Sequence, residues 1–149
     1  MIVLYFKVWE IMKKKLLSGK ILTRKLDQAI RDIFKLKYGH NVRCFVTGQH
    51  LGWFHPRKNK YGCQVGHFIK RKYTQLRWDL KNVEPQSSSS NMLHNENPIP
   101  YTNAILKAYG QERLDYLDAK MRERPPTTLQ KREILEELLK LKESLSNNT

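Results

Sequence analysis

The chain has 149 residues, of which 40% are hydrophobic and 10% aromatic, enough for one domain with one modest core. Its formal net charge is +14. The whole surplus lies in residues 1 to 86, which carry 19 basic and 5 acidic side chains, because residues 87 to 149 carry 9 of each. So large and so localised a charge favours a polyanionic partner, with nucleic acid first and an anionic membrane surface second. A basic protein that is merely soluble is the plain alternative.

The cysteine count and the first residues exclude several other classes. Cys44 and Cys63 cannot make a four-thiolate zinc site, and they are a thin framework for a secreted domain, so a reducing cytosol is expected. The apolar residues 1–12 are followed, rather than preceded, by three lysines at 13–15, and no small-residue cleavage site appears, which argues against a signal peptide. The run is shorter than the ~20 residues of a membrane span. A core strand or a partner-binding segment is expected there.

The next segments alternate between a helical and an irregular pattern. Apolar residues recur near every third or fourth position from 20 to 37, which predicts an amphipathic helix with a basic outer face. Glycines and Pro56 interrupt residues 38–65, so an irregular hairpin is expected there.

Three further helices are predicted after residue 100. Gly110 is expected to end the first, residues 112–121 form the second, and the prolines at 125 and 126 break the chain. Thr127 and Gln130 make a capping-box pattern at the start of the third. This last amphipathic helix either binds a second copy or a partner, or packs back on its own domain, and the sequence leaves both open.

One histidine, His67, is a candidate general base. Phosphodiester hydrolysis needs an activated water and a neutralised phosphate, and a histidine with one divalent ion can provide both. His67 follows Gly66 at the end of a short apolar piece and precedes Phe68, so a strand would hold it in place. A lone histidine is more often structural, and the interpretation therefore depends on its neighbours.

Those neighbours recur in an order that is typical of one nuclease group. The pattern consists of Cys44, Gly48, Gly66-His67-Phe68, Gln75-Leu76-Arg77-Trp78, Asn82-Val83, Gln86, Asn91, Asn97, Pro100-Tyr101 and Gly110-Gln111-Glu112. Over residues 34 to 121 the chain resembles the NinG/Rap family of phage recombination endonucleases, in the HNH or ββα-metal nuclease group. The order and spacing of these features carry the resemblance, because no single one is specific.

The resemblance implies an α+β fold with a small ββα-metal core at residues 41–101. An apolar segment and a basic amphipathic helix would precede it at 1–40, and C-terminal helices would follow at 102–149. The implied activity is metal-dependent cleavage of DNA, above all branched or recombining DNA, in the cytoplasm of the bacterial host of a phage.

The resemblance also assigns roles to individual residues. His67 would be the general base, and Asn82 the middle asparagine that fixes the loop bearing the base. Asn91 would bind one Mg²⁺ or Mn²⁺ ion, with His94 or Asn95 on the same helix as a second ligand. Gly66 stands where the nuclease group usually has an acidic ligand.

The family's structural zinc is not expected in this chain. Its four cysteine positions read Cys44, Thr47, Ser87 and Ser90, and hydroxyl groups are poor zinc ligands. The side chains that could be recruited instead are Cys63, His50 and His55. Packing, hydroxyl hydrogen bonds or the added terminal helices would have to offset the loss of the metal.

The serine run at 87–90 has two interpretations. Composition alone predicts a loop or linker. The resemblance instead implies that Ser89 or Ser90 caps a helix that begins near Asn91.

A basic loop follows the candidate base and is the predicted DNA contact, and a second basic patch precedes it. The two patches contain Lys70, Arg71, Lys72 and Arg77, and Arg57, Lys58 and Lys60. Such contacts position a nucleic acid with little sequence information, and the alternative is that they are solvated loop cations. Trp78 is expected in the core rather than stacked on a base.

Three functional readings remain open. The first is the endonuclease, with a homodimer expected by the symmetry of a junction substrate. The second is a catalytically impaired NinG-like module that binds DNA or a host protein. The third, and weakest, is a protein that binds a membrane surface through residues 1–15 and the basic helix.

Overall fold

The computed structural model describes the backbone of residues 1–16 and 19–148, and the side chains of residues 1–10 and 19–148. These residues form an α+β protein with seven α-helices and a two-stranded antiparallel sheet. The helices are α1 (Ile2–Leu16), α2 (Gly19–Tyr38), α3 (Thr74–Arg77), α4 (Ser88–Glu96), α5 (Ile99–Tyr109), α6 (Gln111–Met121) and α7 (Thr128–Asn147). The strands are β1 (Gln64–His67) and β2 (Val83–Gln86). Within the described ranges, no helix has the length and apolarity to cross a membrane.

The predicted basic helix is α2, and its apolar stripe forms the centre of the main core. Leu22, Leu26 and Ile33 on this stripe are almost fully buried. Helix α7 packs along α2 and adds Leu135 and Leu138 to the same core. The C-terminal helix therefore packs back on its own domain, whereas its predicted role in binding a partner stays a prediction.

The capping box predicted at the start of α7 is present. The Thr127 side chain accepts a hydrogen bond from the backbone of Gln130 at 3.2 Å, and the Gln130 side chain accepts one from the backbone of Thr127 at 2.9 Å. These bonds satisfy backbone donors that the first helical turn would otherwise leave unpaired. The two residues therefore fix where the helix begins.

The sheet joins the same core. Strands β1 and β2 run antiparallel, with Gln64 opposite Gln86 and His67 opposite Val83. Val83 and Trp78 are buried against α2 and α7. The core placement predicted for Trp78 is thus confirmed, and side chains from the N-terminal, central and C-terminal segments share one core.

Residues 42–63 are less regular than the predicted hairpin. An antiparallel bridge joins Arg43 to His50, but the second bridge, from Gly52 to Gly62, is parallel. Gly62 lies so close to the backbone that an added Cβ would be 2.8 Å from the carbonyl oxygen of Phe54. Close backbone contacts and tight turns of this kind replace a continuous ladder here. A small cluster that includes Cys44 and Cys63, both free thiols, packs beneath the segment.

The apolar N-terminal segment is the exposed helix α1, so the predicted core strand is wrong. Every side chain from residue 1 to 10 is exposed, including Ile2 at 80% and Trp9 at 55%. Its apolar residues follow one another without the alternation of a half-buried strand. The sheet consists of β1 and β2, which pair with each other over four residues each, and α1 is not part of it. The partner-binding interpretation remains a prediction. The lysines at 13–15 lie outside the described side chains.

The helices after the sheet form a third cluster. Tyr101 and Ile105 of α5 pack with Leu117 of α6 and with Leu76. Gly110 has a φ of 77° and separates α5 from α6, as predicted. Glycine suits this left-handed conformation, which other residues adopt only with strain.

Candidate active site

His67 lies at the end of β1, where its ring nitrogens have different environments. Its Nε2 is 2.9 Å from the backbone carbonyl oxygen of Arg77. A carbonyl oxygen only accepts, so Nε2 carries the hydrogen and Nδ1 keeps its lone pair. Burial, assisted by the charges of Arg71 and Arg77, lowers the pKa of His67 to about 4, although the bond to the Arg77 carbonyl opposes that shift. The imidazole is therefore neutral at pH 7 and able to accept a proton on Nδ1.

Asn82 ties together the loop that follows His67. Its side-chain oxygen accepts a hydrogen bond from the backbone N–H of Ile69 at 2.8 Å, and its amide nitrogen donates to the carbonyl oxygens of Ile69 and Leu76 at 3.0 and 3.1 Å. Its own backbone carbonyl accepts from the N–H of Phe68 at 2.9 Å. Asn82 is 1% exposed. Asn82 is therefore a positioning residue that holds both arms of the loop. The far end of this loop, at Arg77, supplies the carbonyl oxygen that binds His67.

Asp27, which the sequence analysis did not single out, fastens this loop to α2. Its carboxylate accepts hydrogen bonds from the Arg77 guanidinium, at 2.7 and 3.2 Å, and from the indole N–H of Trp78 at 2.8 Å. The contact joins residues 50 and 51 positions apart, so the sequence contained no local signal for it. The loop is thus held on one side by Asn82 and on the other by Asp27.

A groove of about 610 Å³ opens between α2, β1 and the turn near residue 56, and His67 forms part of its wall. Five arginines line it: Arg24, Arg31, Arg57, Arg71 and Arg77. Asp27 is the one carboxylate among the described lining residues, and it is paired with Arg77 at 2.7 Å. Guanidinium groups match the geometry of phosphate oxygens, and a groove lined by one sign of charge concentrates anions. The groove therefore suits a phosphodiester backbone.

The predicted DNA contacts divide into two groups. Arg57, Arg71 and Arg77 line the groove, although Arg77 already shares its charge with Asp27. The predicted lysines are exposed outside the groove lining, namely Lys58, Lys60, Lys70 and Lys72. Arg24 and Arg31 lie on the helix predicted to have a basic outer face, but neither was predicted to line a groove. The sequence did contain a signal for the pair, because residues seven positions apart lie on the same face of a helix.

The predicted metal ligands are not gathered at one point. Asn91 on α4 is half-buried, and its amide nitrogen donates to the side-chain oxygen of Gln64 at 2.8 Å. Gln64 lines the groove, so Asn91 is joined to the groove wall through Gln64 without lining the groove itself. His94 instead bonds to the carbonyl oxygen of Phe68 at 2.8 Å and lines a separate hollow of about 170 Å³. Asn95 is exposed. The structure thus brings Asn91, but not His94, toward the groove of His67.

The side chains at this edge of the groove offer little negative charge to a divalent cation. Mg²⁺ is usually held by one or two carboxylates together with substrate phosphates and water. The oxygen of Gln64 already accepts from Asn91, and the carboxylate of Asp27 is bound by Arg77. A Cβ on Gly66 would clash with the side-chain oxygen of Gln86, so an acidic residue at this position would require Gln86 to move. Of the predicted ligands, Asn91 alone lies near this edge, so an ion bound there would depend chiefly on substrate phosphate and water.

Thr47, Ser87 and Ser90, which the resemblance places at zinc-knuckle positions, lie around the sulfur of Cys44. Burial would raise the pKa of the Cys44 thiol, but hydrogen bonds from Thr47, Ser87 and Ser90 lower it to about 7. Ser87 also caps α4, because its side chain accepts from the backbone of Ser90 at 3.2 Å. The prediction that Ser89 or Ser90 caps the helix is therefore wrong. Ser87 has the extended backbone of a cap, and the helix begins at Ser88.

No protein-family model matches the chain, and neither a curated protein nor a solved structure matches it.

Proposed function

We propose that this protein is a metal-dependent DNA endonuclease of the HNH type, which hydrolyses phosphodiester bonds. The observation that carries the proposal is the position of His67, a neutral histidine of fixed tautomer in the wall of a groove lined by five arginines. Hydrolysis needs a proton acceptor next to a neutralised phosphate. The groove contains both kinds of group.

The arrangement around His67 supports a ββα-metal core for this nuclease. Strands β1 and β2 form an antiparallel pair, and α4 follows β2 and packs on β1. His67 lies on the first strand, Asn82 braces the connection, and Asn91 lies on the helix, in the order of an HNH site. The cluster around Cys44 further supports the NinG/Rap resemblance, because knuckle positions far apart in the sequence meet in space.

In the proposed reaction, Nδ1 of His67 takes a proton from the attacking water while Nε2–H stays bonded to the Arg77 carbonyl. The arginines of the groove hold the phosphate, and the charge of a bound phosphate raises the pKa of the nearby imidazole toward the working pH. Asn82 and Asp27 keep the loop, and hence the imidazole, in its orientation. A bound Mg²⁺ or Mn²⁺ ion, with Asn91 as its protein ligand, would supply charge neutralisation at the phosphate and the leaving oxygen.

One observation favours a second candidate, the catalytically impaired module that binds DNA or a host protein. The groove offers no unpaired carboxylate among its described residues, so the protein itself supplies little affinity for a divalent ion. Such a module would use the same arginines to bind a nucleic-acid backbone and would not cut it.

The finer properties of the proposed enzyme come from the resemblance. Branched or recombining DNA is the proposed substrate, a phage gene the proposed source, and the bacterial host cytoplasm the proposed site of action. A homodimer would match the two equivalent cut sites of a junction.

The test is a cleavage assay on supercoiled plasmid and on a synthetic four-way junction, with Mg²⁺, Mn²⁺ or a chelator. Wild type is compared with His67→Ala and with His40→Ala, an exposed histidine outside the groove that serves as the matched control. Cutting by wild type and by the His40 variant, lost with chelator and lost in His67→Ala, would support the endonuclease. Binding without cutting by all three proteins would favour the impaired module.

A further inference from the structure

The arginine groove continues past His67 along α2. A second hollow, of about 520 Å³, shares Arg24, Asp27 and Arg77 with the first and extends to the first turn of α7. The two hollows therefore border each other, and the paired Asp27 and Arg77 line both of them. A strand bound in the first hollow would have a second hollow next to it.

The second hollow is also lined by cations, and these were absent from the predicted DNA contacts. Lys20 and Arg24 project from α2 and Lys131 from α7. Within the described part of the chain, no carboxylate forms a salt bridge with Lys20, Arg24 or Lys131. The charge of Arg77 is shared with Asp27 at 2.7 Å, so these three side chains carry the uncompensated charge of the hollow.

The spacing of these cations fits an extended polyanion better than a single small anion. Lys20, Arg24 and Arg31 follow one another at four and seven positions, which places them along one face of α2 over about 16 Å. Each strand of a duplex presents a phosphate about every 3.4 Å along the duplex axis, so this face spans roughly five base-pair steps where it runs parallel to that axis. A single phosphate ion would contact only one end of the row.

Helix α7 contacts the residues between the two hollows through Lys131. The ammonium of Lys131 lies 5.7 Å from the centre of the Trp78 ring, and the indole N–H of Trp78 donates to Asp27 at 2.8 Å. Lys131 is thus held next to the loop that carries the carbonyl partner of His67. The C-terminal helix therefore contributes a cation on the same path, whereas the predicted DNA contacts all lay between residues 57 and 77.

We propose that α2 and the first turn of α7 form a second arm of the nucleic-acid site, in which Lys20, Arg24 and Lys131 bind the phosphate backbone beyond the His67 groove. The ligand is the strand that crosses His67, so this inference rests on the proposed function. The arm acts in binding, however, and its contribution is measurable without cleavage.

The experiment is a fluorescence-anisotropy titration of a labelled 20-base-pair duplex and a labelled 20-nucleotide single strand, in chelator, at several salt concentrations. The test variant is Lys20→Gln with Lys131→Gln. The control is Lys107→Gln with Lys140→Gln, two exposed lysines outside both hollows that change the net charge equally. Circular dichroism and thermal melting verify that both variants fold as wild type does.

We expect the test variant to lose on the order of tenfold in affinity near 0.1 M salt, and its log–log salt dependence to become shallower by about two. The control should stay within about twofold of wild type. Equal losses in the test and control variants would overturn the arm, because overall charge would then explain the effect. An unchanged affinity of the test variant would overturn it as well.

Failure of the arm and failure of the proposed function give different results. If Arg57→Gln with Arg71→Gln weakens binding while the test variant does not, the arm is wrong and the His67 groove remains the binding site. If the test variant weakens binding but wild type never cuts DNA, the arm stands and the endonuclease does not. If wild type binds neither oligonucleotide at low salt, both are contradicted.

Discussion

The imidazole Nε2 of His67 lies 2.9 Å from the carbonyl oxygen of Arg77, while the guanidinium of the same arginine is bound by Asp27 on α2. One residue therefore sets the tautomer of the candidate base through its backbone and joins the loop to the helical core through its side chain. The orientation of His67 thus depends on contacts well outside the sheet that carries it.

Replacing Asp27 by asparagine should loosen this connection. Asp27→Asn removes the charge that pairs with Arg77, but the half-exposed carboxylate limits the loss. We expect the free energy of unfolding to fall by about 1 kcal/mol, and cleavage to fall with it as His67 loses its fixed position. Urea unfolding measures the first effect. Asp118→Asn, which removes an exposed ion pair with Arg122 at the end of α6, is the control and should change stability by less than about 0.5 kcal/mol.

Removing the side chain of Asn82 should have a larger effect. Asn82→Ala leaves the backbone N–H of Ile69 and the carbonyl of Leu76 without these partners in a buried site. We expect a loss of about 2 to 4 kcal/mol in the free energy of unfolding, together with faster hydrogen exchange at Ile69. Asn103→Ala, an exposed position on α5, is the matched control. Equal stabilities of the two variants would contradict the bracing role.

The stability of the protein should depend on the protonation of His67. The pKa of His67 is lowered from 6.5 to about 4, so between these values the unfolded chain binds a proton that the folded chain does not. The free energy of unfolding should therefore rise with pH through this window, by about 3 kcal/mol from this residue.

Glu84 has the opposite effect on the pH dependence of stability, so the contribution of His67 must be measured as a difference between two proteins. Its pKa is raised by burial, so the stability that it contributes at low pH is lost as the pH rises above 4.5. Subtracting the pH–stability curve of His67→Ala from that of wild type isolates the histidine, because both proteins retain Glu84. A flat difference curve between pH 4 and 6.5 would show that the imidazole is not buried as described.

The cluster around Cys44 should bind zinc once cysteines replace the three hydroxyl residues around it. We predict that Thr47→Cys, Ser87→Cys and Ser90→Cys together give one tightly bound Zn²⁺ per chain and raise the melting temperature when zinc is added. Metal analysis after dialysis measures the stoichiometry. The control, Thr47→Cys with Ser88→Cys and Ser89→Cys, has the same number of thiols in the same segments and should bind zinc more weakly. Equal zinc binding by both variants would argue against the knuckle geometry.

The elements predicted correctly are those whose signals are local. Helix α2 follows from its apolar period, and the start of α7 follows from a capping box that spans four residues. The position of His67 at a strand end follows from its short apolar run. In each case the relevant physics acts within a few residues of the chain.

The features that were missed depend on contacts between distant segments. Asp27 meets Arg77 across 50 positions, and His94 lies against Phe68 and Tyr101, which direct it into its own hollow. The sequence of the apolar N-terminal segment did not reveal that it would form an exposed helix. Whether its apolar side chains become buried depends on the surfaces of other segments, which its own sequence does not determine. The cationic path along α2 likewise became visible only when α7 was placed beside it.

The central claim is that His67 is the base of a nuclease, and the most direct measurement is the single-turnover rate of plasmid nicking. With Mg²⁺ or Mn²⁺ at saturating protein, we predict a rate for His67→Ala on the order of 10² to 10⁴ lower than for wild type and for His40→Ala, with unchanged DNA affinity. Equal nicking rates for wild type and His67→Ala, or no nicking by wild type with either metal, would contradict the account.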